Sequence, residues 1–178
     1  MSAVYAALVI PVILVGLAAA NAEATFKPIH VKHTGGFRLA MPPERAIELF
    51  TGPGERSWVP GWDPTVLSGD GTEMGTVFVT SDAHSTTVWV VVDYDTEALR
   101  ARYARATPGV KACTVEVNLH PDGEGGSEVR VTYELTALSE AGNKDLAHFD
   151  ASAYAAMLRE WEQHIRHAEA EIATYFGK

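Results

Sequence analysis

The sequence predicts an α+β fold in which a curved antiparallel β-sheet wraps around one long C-terminal α-helix. Residues 76–93 are rich in Val, Thr, Phe and Trp, and in the segments 97–106, 112–120 and 127–138 apolar side chains recur at every second position, which is typical of strands with one buried face. From residue 146 to residue 176 they recur at helical spacing, and the strands are the only elements available to cover the resulting apolar stripe. The predicted stripe comprises Leu146, Ala153, Met157, Trp161, Ala168, Ile172 and Tyr175.

Short polar or glycine-rich turns separate the predicted strands. The first strand contains the pair Gly35-Gly36, which indicates a β-bulge. Residues 82–84 and 123–126 are the clearest turns between strands. The predicted strands are residues 26–40, 76–81, 85–93, 97–106, 112–120 and 127–138.

A helix is predicted over residues 43–50, because the sequence Pro42-Pro43-Glu44 combines prolines that a first turn tolerates with an acidic residue that suits the helix dipole. Residues 55–64 contain two Trp and two Pro and predict an irregular segment. The chain is then predicted to turn into the last helix over residues 139–143, with Ser139 or Asn143 as the N-cap.

The composition indicates one globular domain and excludes several functions. A chain of 178 residues with 47% apolar residues is long enough for one hydrophobic core. Its formal net charge of -9, with 14 scattered basic residues, argues against binding to nucleic acid. Cys113 is the only cysteine, which excludes an intramolecular disulfide and a thiolate metal cluster. His164 and His167 have a spacing that could chelate, but no metal-binding motif surrounds them, so we expect neither metal nor cofactor.

The N-terminal residues predict a targeting segment. Residues 3–20 are apolar and uncharged, and they are followed by Ala20-Asn21-Ala22 and Ala22-Glu23-Ala24, small-x-small patterns that suit a signal peptidase. We therefore expect residues 1–24 to be a signal peptide and residues 25–178 to form a periplasmic or secreted domain. An uncleaved membrane anchor over residues 3–20 is the alternative, because the apolar run is nearly long enough to span a bilayer and no basic residue precedes it. A misassigned start site is a third reading.

Four stretches of sequence carry a resemblance to a known family. They are Met41-Pro42-Pro43-Glu44-Arg45-Ala46, the run from Trp58 to Pro64, the strand Thr86-Thr87-Val88-Trp89-Val90-Val91, and Thr132-Tyr133 with Thr136-Ala137-Leu138-Ser139. With them, the chain resembles the SRPBCC superfamily, also called START-like or birch-pollen-allergen-like, and in particular its bacterial polyketide cyclase/dehydrase-like members. The resemblance implies the helix-grip fold, with two short helices after the first strand, and a hydrophobic cavity. It leaves the chemistry open.

Several side chains are candidates for lining such a cavity. Trp58 and Trp62 either form the rim of its mouth or plug one end of the sheet, and Asp63 either faces the ligand or caps a turn. His164 falls on the inward side of the helical wheel, as a general base or as an ordinary core histidine. Arg105, on the same strand face as Tyr103, could meet an anionic ligand head, although an exposed arginine at a strand end is more common. The predicted ligand-binding residues are Trp58, Trp62, Trp89, Tyr103, Tyr133, Met157, Trp161 and His164.

Three functions remain open from the sequence. We expect the chain, as a monomer or homodimer, to bind a hydrophobic small molecule such as a lipid, an isoprenoid or an aromatic polyketide, with membrane association through the N-terminal segment as an option. The first alternative is an enzyme of cyclase or dehydratase type, in which His164 or Asp63 transfers a proton. The second is a protein-interaction module that presents Trp58 and Trp62 to a partner. A strongly shifted pKa inside the cavity would favour the enzyme, whereas a wholly apolar lining would favour the binding protein.

Overall fold

The computed structural model describes residues 26–168 and residue 172. Strands precede the C-terminal helical region and short helices follow the first strand, as predicted, but there are seven strands where six were predicted. The strands are β1 (His30–Leu39), β2 (Thr65–Ser68), β3 (Val77–Ser81), β4 (Thr86–Asp95), β5 (Arg100–Thr107), β6 (Lys111–Pro121) and β7 (Ser127–Ala137). The helices are α1 (Pro43–Ala46), two 3₁₀ helices (Ile47–Phe50 and Gly54–Ser57), α2 (Glu140–Leu146) and α3 (Ala151–His167).

The strands form one antiparallel sheet, and its curved inner face carries the core. The order is β1-β7-β6-β5-β4-β3-β2. Strands β2 to β7 therefore follow one another across the sheet, and β1 forms the edge beside β7. The alternation predicted for β6 and β7 is confirmed, because every second residue is buried along both strands. The helix-grip architecture inferred from the order of elements is therefore confirmed.

The first strand differs from the prediction at its glycine pair. Gly35 faces Val131 and Gly36 faces Arg130 in an unbroken register, so the predicted bulge is wrong. The glycines serve close packing instead, because a Cβ on Gly35 would press on the Leu158 side chain of α3. The register shifts lie elsewhere, in β4 between Val91 and Asp93 and in β2 between Val66 and Ser68. Strand β2 was not predicted, since its four residues are exposed and have no alternating pattern.

The C-terminal helical region is two helices and not one. Residues 140–146, partly predicted as a turn, form α2, whose N-cap is Ser139 as one of the two predictions had it. The chain then leaves helical geometry and restarts at Asp150, whose Oδ1 accepts a hydrogen bond of 2.8 Å from the Ala153 amide. This break changes the helical phase. The fully buried residues of α3 are Tyr154, Leu158 and Ile165, one position beyond the predicted stripe, whereas Met157, Trp161 and Ala168 are partly buried beside them.

Two predicted segments lie outside the described residues. They are the N-terminal residues 1–24 and the end of the predicted helix, including Tyr175. Among the helices in the described part of the chain, none has the length and apolar character needed to cross a membrane.

Candidate functional site

An internal cavity of about 170 Å³ lies between the inner face of the sheet, helix α3 and the residues that follow the first 3₁₀ helix. We call residues 52–64 the tryptophan segment. Three positions of this segment, Glu55, Val59 and Trp62, are only partly buried, as is Trp161 of α3, so the cavity opens between the segment and the helix. The cavity is lined by Gly52, Glu55, Val59, Trp62, Phe78, Trp89, Tyr103, Arg105, Val115, Val117, Tyr133 and Trp161.

A tight turn fixes the start of the tryptophan segment. The buried Thr51 hydroxyl donates to the Glu48 carbonyl oxygen at 2.9 Å and accepts from the Gly54 amide at 2.9 Å. Gly54 has no room for a side chain, because a Cβ there would overlap the Glu48 carbonyl oxygen. The turn therefore requires glycine at position 54, and it places the next residue, Glu55, over the cavity.

The far end of the segment is held by an arginine on the outside. Arg56 donates from Nη2 to the Pro64 carbonyl oxygen at 2.6 Å and lies 3.4 Å from Asp63 Oδ1. The indole of Trp62 donates to the Gly52 carbonyl oxygen at 2.8 Å. These bonds close the segment on itself, so its inner side chains form a defined wall.

The apolar part of the lining is a cluster of aromatic rings. Trp89 stacks on Phe78 with ring centroids 5.6 Å apart and meets Trp62 edge-on at 5.6 Å. Its indole donates to the Thr80 hydroxyl at 3.0 Å. On the helix side, Trp161 contacts Tyr133 at 6.2 Å between centroids. Because these rings surround the space, it suits a flat apolar group.

One cation projects into this aromatic cluster. The guanidinium carbon of Arg105 lies 4.7 Å from the ring centroid of Trp89 and 5.2 Å from that of Tyr133, which are cation–π distances. The side chain also interacts with the Cys113 thiol on the neighbouring strand. Of the two orientations considered for Arg105, the structure therefore has the one that faces the cavity, and not the more common exposed one.

Glu55 is the carboxyl group of the cavity. Desolvation by burial raises the pKa of Glu55 from its ordinary value to about 8, and the nearby charge of Arg105 opposes this rise only in part. At neutral pH the group is therefore mostly protonated, and it can donate a hydrogen bond. Near pH 8 it exchanges its proton readily, as a general acid or base must.

The two cavity tyrosines differ in their hydrogen bonds. The Tyr103 hydroxyl donates to the Phe50 carbonyl oxygen at 2.7 Å, so it anchors the first 3₁₀ helix to β5. The Tyr133 hydroxyl has no such bond within the described chain, and it is the tyrosine group available to a ligand. Burial raises the pKa of both hydroxyls, which remain neutral across the physiological range.

Five of the predicted ligand-binding residues meet in the cavity, and three do not. Trp58 is 4% exposed, donates its indole hydrogen to the Leu49 carbonyl oxygen at 2.8 Å and packs behind Trp161, outside the lining. Met157 packs against the core without lining the cavity. The residues that do line the cavity are Trp62, Trp89, Tyr103, Tyr133 and Trp161.

The two residues predicted to transfer a proton lie outside the cavity. His164 is partly exposed and lines a separate open groove of about 400 Å³ together with His167 and Arg56. The helical wheel placed His164 inward because it assumed one unbroken helix from residue 146. The Asp63 side chain is 92% exposed, so it does not face the cavity. Nor do Trp58 and Trp62 form the exposed patch that an interaction module requires, because the first is buried and the second lines the cavity.

Glu55 was missed by the sequence analysis, although a signal was available. Glu55, Val59 and Trp62 are separated by four and three residues, which is the spacing of one helical face. The glutamate was passed over because charged residues are usually solvated, and only the sheet opposite it makes this position dry. Within the described residues, no group of three or more His, Cys, Asp or Glu is arranged to hold a metal ion.

Comparisons with known proteins agree with this architecture. A family model described as "Polyketide cyclase / dehydrase and lipid transport" matches residues 29–166. No curated protein sequence matches the chain. Among solved structures, norcoclaurine synthase from Thalictrum flavum is similar with a TM-score of 0.59 at 13% identity, over 87% of this chain and 97% of that one. Protein Mll3558 from Rhizobium loti gives a TM-score of 0.55 at 19% identity, over 76% of this chain and 99% of that one.

Two further structures share the fold. Ara h 8.0201 has a TM-score of 0.54 at 13% identity, over 78% of this chain and 98% of that one. Another structure of the Thalictrum flavum synthase, with a TM-score of 0.58 at 13% identity over 79% of this chain and 88% of that one, is a complex with dopamine and hydroxybenzaldehyde. At these identities the similarity concerns the fold.

Proposed function

Because the chain belongs to the family of polyketide cyclases, dehydrases and lipid-transport proteins, we propose that it binds a small, largely apolar molecule of about one ring in the inner cavity. The family membership bears out the resemblance drawn from the sequence. It is compatible with many ligands. The size and lining of the cavity therefore carry the proposal.

The volume favours a ligand of one ring. An apolar cavity of about 150 Å³ in another protein is known to admit benzene. The cavity of about 170 Å³ described here is of that order, and it is smaller than the few hundred Å³ typical of pockets for larger ligands. A lipid, an isoprenoid or a multi-ring polyketide would require the tryptophan segment to move away. The similar synthase that is complexed with dopamine and hydroxybenzaldehyde, both single-ring compounds, supports the same size class.

Filling the cavity tests the proposal. Val117 is 2% exposed and lines the cavity from β6, so Val117→Phe should occupy the space of the ligand ring. We expect benzyl alcohol to quench the tryptophan fluorescence of the unmodified protein saturably, and Val117→Phe to lose this response. Val92→Phe is the matched control, because Val92 is 39% exposed. Equal responses from both variants, or no saturable response from the unmodified protein, would refute a ligand site in the cavity.

Glu55 favours a second candidate function, a proton-transfer enzyme of cyclase or dehydratase type. A carboxyl whose pKa is raised to about 8 in a largely apolar cavity matches the requirement for a general acid or base near neutral pH. In this candidate, Glu55 takes the role that the sequence analysis gave to His164 or Asp63. The Tyr133 hydroxyl would stabilise an enolate oxygen by donating to it.

Exchange of carbon-bound protons tests the second candidate. Phenylacetaldehyde is a one-ring probe with acidic protons beside its carbonyl group. If Glu55 is a base, the protein should exchange these protons for deuterium in D₂O faster than buffer does, as followed by NMR. Glu55→Gln should remove the acceleration but retain benzyl alcohol binding, whereas an unchanged rate in the variant would exclude Glu55 as the base.

A further inference from the structure

Among the described residues, Arg105 is a charged group without a counter-ion. Arg100 and Arg102, on the same strand, each have an acidic partner: Arg100 Nε lies 2.6 Å from Asp93 Oδ2, and Arg102 Nε lies 3.2 Å from Glu116 Oε2. In the described part of the chain, no carboxylate lies within ion-pair distance of Arg105. The arginine that reaches the cavity is therefore the member of the three that is left unpaired.

The neighbours of Arg105 stabilise its charge only partly. The rings of Trp89 and Tyr133 attract the cation through their faces, and Cys113 offers a thiol, which is a weak acceptor. None of these groups is a carboxylate, the group that a guanidinium binds best. Because an arginine side chain has five N–H donors and keeps its charge, it retains donors for a ligand oxygen.

The carboxyl group that faces the same cavity does not neutralise it. Glu55 is mostly protonated at neutral pH, because desolvation outweighs the attraction of Arg105. The cavity then offers one positive charge and two neutral hydroxyl donors, from Glu55 and Tyr133. Such a set is complementary to an anionic oxygen and not to a cation.

We propose that the ligand of the cavity is a one-ring aryl carboxylate, whose carboxylate pairs with Arg105 while its ring lies among Trp62, Phe78 and Trp89. The inference rests on the proposed binding function and narrows its ligand class. Charge pairing selects the carboxylate over neutral rings of the same size, because only the anion supplies Arg105 with its missing partner.

The affinity for such an anion depends on pH through Glu55. The groups that face Glu55 from the packed elements are Arg105 and Tyr103 of β5 and Tyr133 of β7, with Cys113 of β6 beside Arg105. Arginine stays charged, and burial raises the pKa of both tyrosines and of the Cys113 thiol, so these groups keep their charge state. When the pH rises above about 8, Glu55 becomes an anion whose charge offsets that of Arg105 and repels the ligand, and binding weakens.

Benzoate and benzamide, which have nearly the same shape, test the inference by calorimetry at pH 6.5. We expect benzoate to bind at least about tenfold more tightly than benzamide, since a charge-assisted pair replaces a neutral contact. Arg105→Met should weaken benzoate binding far more than benzamide binding and so remove this preference, and the benzamide binding that remains shows that the cavity is intact. Arg102→Met, on the outer face of the same strand, should leave both affinities unchanged. Should Arg105→Met not fold, Arg105→Lys keeps the charge and should keep the preference.

A repeat at pH 9.5 tests the part played by Glu55. Benzoate binding should weaken several-fold in the unmodified protein and stay constant in Glu55→Gln. Equal affinity for benzoate and benzamide, or a benzoate affinity that Arg105→Met leaves unchanged, overturns the inference while the binding function stands. If benzoate, benzamide and benzyl alcohol all fail to bind, the proposed function falls with it.

Discussion

The cavity and the outer groove expose their charged side chains to water to different extents, although adjacent residues of one turn line the two spaces. Glu55 faces the cavity of about 170 Å³, and Arg56 faces the groove of about 400 Å³. The carboxyl in the smaller space loses its hydration and has a raised pKa. The Arg56 side chain in the groove is 48% exposed, and it binds the Pro64 carbonyl and the exposed Asp63 carboxylate. Removal from water, more than the size of a pocket, thus changes the chemistry of a side chain.

The contrast also separates two kinds of aromatic residue. Trp62 keeps its ring in the cavity, while Trp58 fills the wall between the cavity and the groove. Both indoles are bound to backbone carbonyls of the preceding turn region, so each is fixed in place. The tryptophan segment therefore separates the cavity, which we call its dry side, from the open groove, which we call its wet side.

Gly54→Ala is expected to lower the stability most, since it disrupts the turn that positions the tryptophan segment. The new Cβ would overlap the Glu48 carbonyl oxygen, and the backbone must move to relieve the overlap. We expect a loss of about 3 kcal/mol or more in unfolding free energy, measured by urea denaturation. Gly61→Ala is the control, since Gly61 has a positive φ of 71° but open space around it, so only backbone strain of about 1 kcal/mol applies. Equal losses would show that the turn tolerates a side chain.

Glu55→Gln should change stability in a pH-dependent way. The folded protein holds the Glu55 proton up to about pH 8, whereas the unfolded chain releases it near the ordinary value of 4.5, so the unmodified protein loses stability as the pH rises between these values. Glutamine mimics the protonated form and removes this loss. One pKa unit corresponds to about 1.4 kcal/mol, and since Glu55 is partly exposed we expect the variant to gain roughly 2–4 kcal/mol at pH 9 and almost nothing at pH 4.5.

Thermal unfolding of both proteins at the two pH values measures this gain. Glu48→Gln is the matched control, because it removes an exposed carboxylate from the preceding turn. If the gain in stability from Glu55→Gln is the same at both pH values, burial does not raise the pKa of Glu55. The two sides of the tryptophan segment would then not differ in hydration.

Asp63→Asn should have the smallest effect. Its ion pair with Arg56 is exposed and long, and such pairs contribute less than about 1 kcal/mol. We expect a change below about 0.5 kcal/mol in urea denaturation and unchanged benzyl alcohol binding. A tenfold loss of binding would place Asp63 at the ligand and reverse the assignment of the two sides.

Most of the strands could be predicted from the sequence because one face of each is buried, whereas the exposed strand β2 could not. The alternation in β6 and β7 records that burial directly, and the alternation in β5 placed Arg105 on the same face as Tyr103. The helical wheel wrongly placed His164 inside the cavity. Its angles were counted from Leu146, and the helix is interrupted before Asp150. The capping residue was visible in the sequence, but the apolar stripe on both sides of it favoured a continuous helix.

Glu55 could not be assigned in the same way, since its chemistry is a tertiary property. Its neighbours in sequence, Arg56 and Ser57, are polar and give no sign of a dry environment. The desolvation arises where the tryptophan segment meets residues of β5 and β7 that are distant in the chain. The local sequence shows on which face of the segment such a residue lies. Its pKa depends on the strands that pack opposite it in the folded protein.

The hydrogen bond from Arg56 to the Pro64 carbonyl affects how related proteins can come to bind different ligands. It fastens a short loop just before β2 begins, so one wall of the cavity is independent of the backbone pairing of the sheet. Insertions or exchanges inside that loop can widen or reshape the binding space and leave every strand register intact. Part of the selectivity is thus encoded in a loop outside the strands, and that part can change over generations while the sheet keeps its register.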